Sequence, residues 1–164
     1  MAIHPITVER FSVVSSKTFA EVLTAIEAPL GHPDMREFGT KVAAAKSWQE
    51  LEHVVNGMIG PSGFMEFTRF NLGQILSKEQ GPAAPKILRI VLGNPLVMKR
   101  MAEHVPDAAS YAPVTILIDA RADGVHLSYD RMASYLDSYG NLAALKVARD
   151  LDAKVQALLT AAAS

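Results

Sequence analysis

The stretch from Tyr111 to Asp130 constrains the fold more than any other. Two runs of strand-forming residues, Tyr111 to Asp119 and Val125 to Asp130, are joined across Ala122-Asp123-Gly124. Asp-Gly tolerates the positive φ of a tight turn, so the pair reads as a β-hairpin. Elsewhere strands and helices do not alternate regularly, which argues against a doubly wound parallel sheet. The expected fold is α+β, a two-layer sandwich of a mostly antiparallel sheet with helices packed on one face.

Helix and strand signals fill in the rest. Ile6 to Val14 reads as a first strand. Thr18 with Glu21 forms a capping box, followed by Phe19, Val22, Leu23, Ile26 and Leu30 at helical spacing, with Gly31 placed to end the helix. A second helix is expected from about Pro33, with Met35, Phe38 and Val42 on one face. Ser47 and Glu50 open a third, striped by Trp48, Leu51, Val54, Val55 and Met58. Gly60-Pro61-Ser62-Gly63 is a turn, and Phe64 to Phe70 alternates like a strand. "QGPAAP", from Gln80 to Pro85, reads as a loop, and Lys86 to Leu92 as a strand apolar enough to be central. Met132, Tyr135, Leu136 and Tyr139 mark a short helical piece stopped by Gly140. Asn141 then caps a terminal helix whose alanine-rich end, "TAAAS", is expected to fray.

The stretch "VLGNPLVMKRM", residues 91 to 101, is the leading candidate for a ligand site. Asn94 is an N-cap and Pro95 a first helical residue. Free N–H groups and the macrodipole make such a helix start attractive to anions, and Gly93 lets a ligand approach the backbone. Lys99 or Arg100 would assist from about one turn in. The competing reading is a plain strand-to-helix corner, in which Asn94→Ala costs about 1 kcal/mol as a lost cap. Met98, Met101 and His104 recur every three residues but drift around a helix, so they read as core methionines and a helix-end histidine rather than a metal site.

In "VHLSYDRM", His126, Ser128 and Asp130 share one strand face by period two, with Val125, Leu127 and Tyr129 turned inward. Neighbours on one face run parallel about 7 Å apart, so these three do not converge as a triad. Gly60-Pro61-Ser62-Gly63 lacks the frame of a nucleophile elbow, and no glycine-rich phosphate loop or Walker lysine is present. The histidines His4, His32, His53, His104 and His126 are scattered, and the charges of Asp150 and Lys154 suit a solvated helix face.

Composition removes whole classes of chemistry. With no cysteine among 164 residues, thiolate nucleophiles and Cys-ligated metal centres are excluded. A net charge of −1 gives no electrostatic footprint for nucleic acid. No run approaches the roughly 18 apolar residues of a membrane span, and "MAIHPITVER" is no secretory signal. With 49% hydrophobic residues, a soluble, cytoplasmic single domain over residues 1–164 is expected, with no metal and no cofactor.

The segment "GNPLVMKRMAEHVPDAASYAPVTILI" resembles the domain of unknown function 302 family, in which a strand ends in an Asn-Pro helix start. In that family a Pro-containing turn and an x-Pro step then lead into hairpin strands. "SSKTFAEVLTAIEA" and "SGFMEFTRFNLG" are similar to the family's earlier parts. The resemblance spans about residues 6–130 and leaves 131–164 as a C-terminal helical elaboration. It implies a compact α+β fold, often dimeric, with no agreed activity. Many members carry Cys just before the Asn-Pro step and just after the second Pro. Gly93 and Val114 stand there in this chain, so no thiol role carries over.

Two classes of function follow. One is a homodimeric module binding a small molecule or anion at Gly93, Asn94, Pro95 and Arg100, with Tyr111 and Tyr129 as polar contributors. The other is an enzyme doing acid–base chemistry with His126 and Asp130, and His104 as a partner. A purely structural or assembly role predicts no pocket and a large apolar interface.

Overall fold

Alternating burial along Gly124–Asp130 and a six-residue pairing with Val114–Arg121 build the hairpin that the Asp-Gly turn promised. The computed structural model describes Ile3 and residues 5–164; His4 lies outside the described residues. Around the hairpin, five strands form one antiparallel sheet. They are β1 (Arg10–Ser15), β2 (Met65–Asn71), β3 (Ile87–Gly93), β4 (Val114–Arg121) and β5 (Gly124–Asp130), in the order β1-β5-β4-β3-β2. β3 is therefore an interior strand, with β4 in the middle.

The helices are α1 (Phe19–Glu27), α2 (Met35–Ala44), α3 (Trp48–Asn56), α4 (Gly73–Gln80), α5 (Pro95–Ala102), α6 (Ala108–Tyr111), α7 (Met132–Leu136) and α8 (Leu142–Ala163). The expected caps form: Thr18 and Glu21 as a reciprocal box, Ser47 at α3, Asn94 at α5 and Asn141 at α8. One sheet face, with Ile90, Ile116, Ile118 and Leu127, packs on α1, α5, α7 and α8 in a single core. A smaller cluster of Phe38, Val55 and Met65 ties α2 and α3 to β2, with Phe67 packed against it. On the other face Ser12, Val14, Leu117, Ser128 and Arg89 are partly open to solvent. The architecture is thus the expected α+β sandwich.

Several boundaries differ from expectation for tertiary reasons. β1 begins at Arg10 because its partner ends at Asp130 and the chain turns away into α7, leaving residues 6–9 without a ladder. Tyr111 belongs to α6, because pairing with β3 starts only at Val114, opposite Leu92. α1 stops at Glu27, while Gly31 forms a parallel bridge to Met65. A bulge between Glu66 and Thr68 leaves Met65 and Phe67 in one cluster and Phe70 beside Arg89. The sequence signal for α4 is weak, with Ile75 and Leu76 its only large apolar residues. The tail does not fray: α8 runs to Ala163, Ala162 is buried, and Ser15 Oγ donates to the Ala163 carbonyl at 2.7 Å. No helix among the described residues is long and apolar enough to cross a membrane.

Candidate functional site

Where this partly open face meets α6 and α7, a cleft of about 320 Å³ opens. Arg10 and Asp130 are register partners at the sheet end, and they form a two-pronged ion pair on the cleft wall. Arg10 Nε donates to Asp130 Oδ1 at 2.6 Å and Nη2 to Oδ2 at 2.9 Å. This hydrogen bonding holds the Asp130 carboxyl below its usual range. Tyr135 of α7 lies beside Asp130, and burial, followed by that neighbouring charge, pushes its phenol up. The Tyr135 ring stacks on Tyr111 with centroids 4.7 Å apart. The Tyr111 hydroxyl is 3.1 Å from that of Tyr139. Thr115, Leu117 and Ser128 supply the floor and Pro113 one end.

The cleft keeps its shape through a carboxylate on the far side of the sheet. Asp152 of α8 is fully buried and accepts from Tyr129 Oη at 2.7 Å, Met132 N at 2.7 Å and Ala133 N at 3.1 Å. It satisfies the free N–H groups at the start of α7 from another helix, and so fixes where α7 presents Tyr135. Burial pushes the Asp152 carboxyl above its ordinary range despite these donors. Tyr129 lines the cleft by position but is only 2% exposed, and its hydroxyl is held by Asp152. Burial raises the Tyr129 phenol as well, with the Asp152 charge next in effect.

Gly93, Asn94 and Pro95 line a second, smaller cavity of about 120 Å³ whose wall is almost wholly apolar. Asn94 Oδ1 accepts from Leu96 N at 2.9 Å, and Asn94 Nδ2 donates to the Gly63 carbonyl at 3.0 Å. Asn94→Ala therefore loses a cap and a tie between two loops. It is expected to cost about 2 kcal/mol in chemical denaturation, twice the cap alone. Lys99 pairs with Glu103 and sits over the Trp48 ring, and Arg100 is exposed; neither lines the cleft or this cavity.

The candidate acid–base residues lie apart. His126 Nε2 is 2.8 Å from Asp123 Oδ1 at the hairpin end, and this hydrogen bond lowers the Asp123 carboxyl. Asp130 sits roughly 13 Å further along the strand, at 3.3 Å per residue, and faces Arg10. His104 is exposed beside Glu103 at the end of α5. Met101 is core and Met98 half-buried. Among the described residues no group of three or more His, Asp and Glu is arranged to hold a metal ion.

Sequence reasoning missed Arg10, Tyr135 and Asp152. Only the Asp152 signal was present locally: a carboxylate within the apolar stripe of Ala148, Leu151, Val155 and Leu159. Arg10 and Tyr135 reach Asp130 only through strand register and the direction of α7.

No curated protein matches the chain. Among solved structures, the crystal structure of uncharacterized conserved protein DUF302 from Bacillus stearothermophilus is similar, with a TM-score of 0.65 at 11% identity. The match covers 93% of this chain and 97% of that one, and at this identity the likeness is one of fold. A family model, Domain of unknown function DUF302, matches residues 38–162, from α2 through nearly all of α8. By that match, the chain belongs to the DUF302 family.

Proposed function

We propose that this protein is a binding module that holds a compact, uncharged, hydrogen-bonding molecule in the cleft beside Arg10, Asp130 and Tyr135. The observation that carries this reading is the two-pronged ion pair on a half-enclosed wall. One cation and one anion already balance each other there, so a charged ligand would have to pull the pair apart. An uncharged amide or hydroxyl can accept from the remaining Arg10 N–H groups and donate to free lone pairs of Asp130. Leu117, Pro113 and the tyrosine stack offer apolar surface for the ligand body. The volume, about 320 Å³, lies at the small end of ligand sites. The same reading includes a homodimer across the partly open sheet face, supported by half-exposed apolar groups such as Val14. The acid–base alternative has less support, because His126 and Asp130 hold different partners at opposite strand ends.

Benzamide, benzoate and benzamidine share a ring and differ in charge, which makes them suitable probes in an amide NMR titration. Benzamide is expected to give saturable shifts at Ser128, Asp130 and Tyr135 and to bind tighter than either ion. Arg10→Ala should weaken it about tenfold or more, with little loss of stability because that ion pair is largely solvent-exposed. No saturable shift at these residues, or equal binding of all three probes, overturns the reading. Light scattering on the same sample reads the oligomeric state.

A further inference from the structure

We infer that the ligand is an amphiphile: its polar head occupies the cleft and a short apolar tail enters the cavity under the Gly93-Asn94-Pro95 corner. This inference rests on the cleft reading above and adds the chemical class of the ligand. The two cavities are neighbours, since Pro113 and Val114 stand in the walls of both. They differ sharply in chemistry. The cleft carries an ion pair and hydroxyls, whereas the small cavity is walled by Phe67, Val97, Met98, Met101 and Leu151.

Asn94 is the one polar side chain on the small cavity's wall, and both its amide groups already have backbone partners. A ligand group entering there meets at most the second N–H and second lone pair of Asn94 on an otherwise apolar wall, so a charged or strongly polar group would lose most of its hydration without replacement. An apolar group gains from leaving water. The volume of about 120 Å³ takes a chain of about four carbons, at roughly 30 Å³ for each water-sized group.

Gly93 keeps the space between β3 and the Pro113 segment open. A Cβ there would stand 3.3 Å from Pro113 Cβ and 3.7 Å from the Phe67 ring, narrowing the cavity beside the shared Pro113 wall. The unbranched Met98 thioether is a wall that yields to chains of different shape. The corner thus takes part in binding through an apolar recess it covers, rather than through an anion cradle.

The test uses 4-alkylbenzamides from methyl to butyl, titrated against the full-length protein and compared with benzamide. Affinity is expected to rise about fourfold per methylene until the cavity is full. Those increments should vanish in V97F, which fills the cavity, and shrink in G93A, with thermal melts confirming that each variant is folded. Xenon, read by methyl NMR at Val97, Met101 and Leu151, probes the cavity independently of the cleft. Failure of benzamide itself to bind overturns the cleft reading and the amphiphile with it. Benzamide binding with a flat alkyl series, or increments that persist in V97F, overturns the amphiphile and leaves the cleft reading standing.

Discussion

Asp152→Ala should lower the unfolding free energy by about 3–5 kcal/mol, among the largest effects of any single side-chain truncation in this protein. The carboxylate is 2% exposed and accepts from three donors, which come from β5 and from the first N–H groups of α7. Truncation leaves the Tyr129 hydroxyl proton and the Ala133 amide buried and unpaired, each costing about 1–3 kcal/mol, while Met132 N keeps only its 3.1 Å bond to Tyr129 Oη. Arg131 adds to this. Its Nε is buried, has no hydrogen-bond partner, and lies 3.6 Å from Asp152 Oδ2, so the guanidinium loses one of its two counter-charges and keeps only Glu9, on Nη1. At 164 residues a loss of this size shifts the melting temperature by roughly 10 °C.

Asp152→Asn separates hydrogen bonding from charge. The amide oxygen keeps two donors, but its NH₂ faces the Ala133 N–H, so a loss of about 1–2 kcal/mol is expected. The folded-state pKa of Asp152 lies above the ordinary carboxylate value. Between the two values the folded chain holds a proton that the unfolded chain has released. Stability from this group is therefore fully present below the unfolded value and falls as pH rises through the folded one. Tyr129 and Arg131 are the titratable and charged groups facing it. Urea denaturation across the acid range should show wild-type stability declining relative to Asp152→Asn as pH rises, then levelling. A flat difference would show that burial does not raise this carboxyl.

The second large effect is steric. Gly31→Ala and Gly60→Ala should each cost about 4 kcal/mol or more, enough to reduce soluble expression. A Cβ on Gly31 would lie 1.9 Å from the Met58 carbonyl oxygen, and one on Gly60 2.4 Å from the Pro29 carbonyl oxygen. Both obstacles are backbone, so no rotamer change relieves them. The contact is itself hydrogen-bonded: Gly31 N and Gly60 N each donate to the Phe64 carbonyl at 2.9 Å. Gly39→Ala is the control. It lies inside α2 with open space around it, so alanine should stabilise by about 0.5–1 kcal/mol through helix propensity. Tolerance at Gly31 and Gly60 equal to that at Gly39 would refute the packing argument.

These sites mark the border of what the sequence makes legible. The Thr18–Glu21 box, the caps at Ser47, Asn94 and Asn141, and the Asp123-Gly124 turn are readable because donor and acceptor lie within a few residues. Gly31 is different. As a residue type it suits a helix stop, and only the approach of the α3–β2 turn makes it a contact point. Tyr111 suits a strand as well as a helix, and where β3 begins to pair decides between them. The alanine tail has weak local means of order, yet Ser15 and the core hold it.

The sequence by itself determined the class of fold, the hairpin at its centre, the starts of its capped helices and the absence of thiol chemistry. Hydrophobic period and capping are local properties, complete within one turn of helix or one strand pair. The tertiary structure decided the cleft and the recess beside it. Arg10 and Asp130 stand 120 positions apart, and Tyr129 and Asp152 lie on a strand and a distant helix. Their meeting depends on strand register and on where α8 crosses the sheet, and both are set by how the whole core packs.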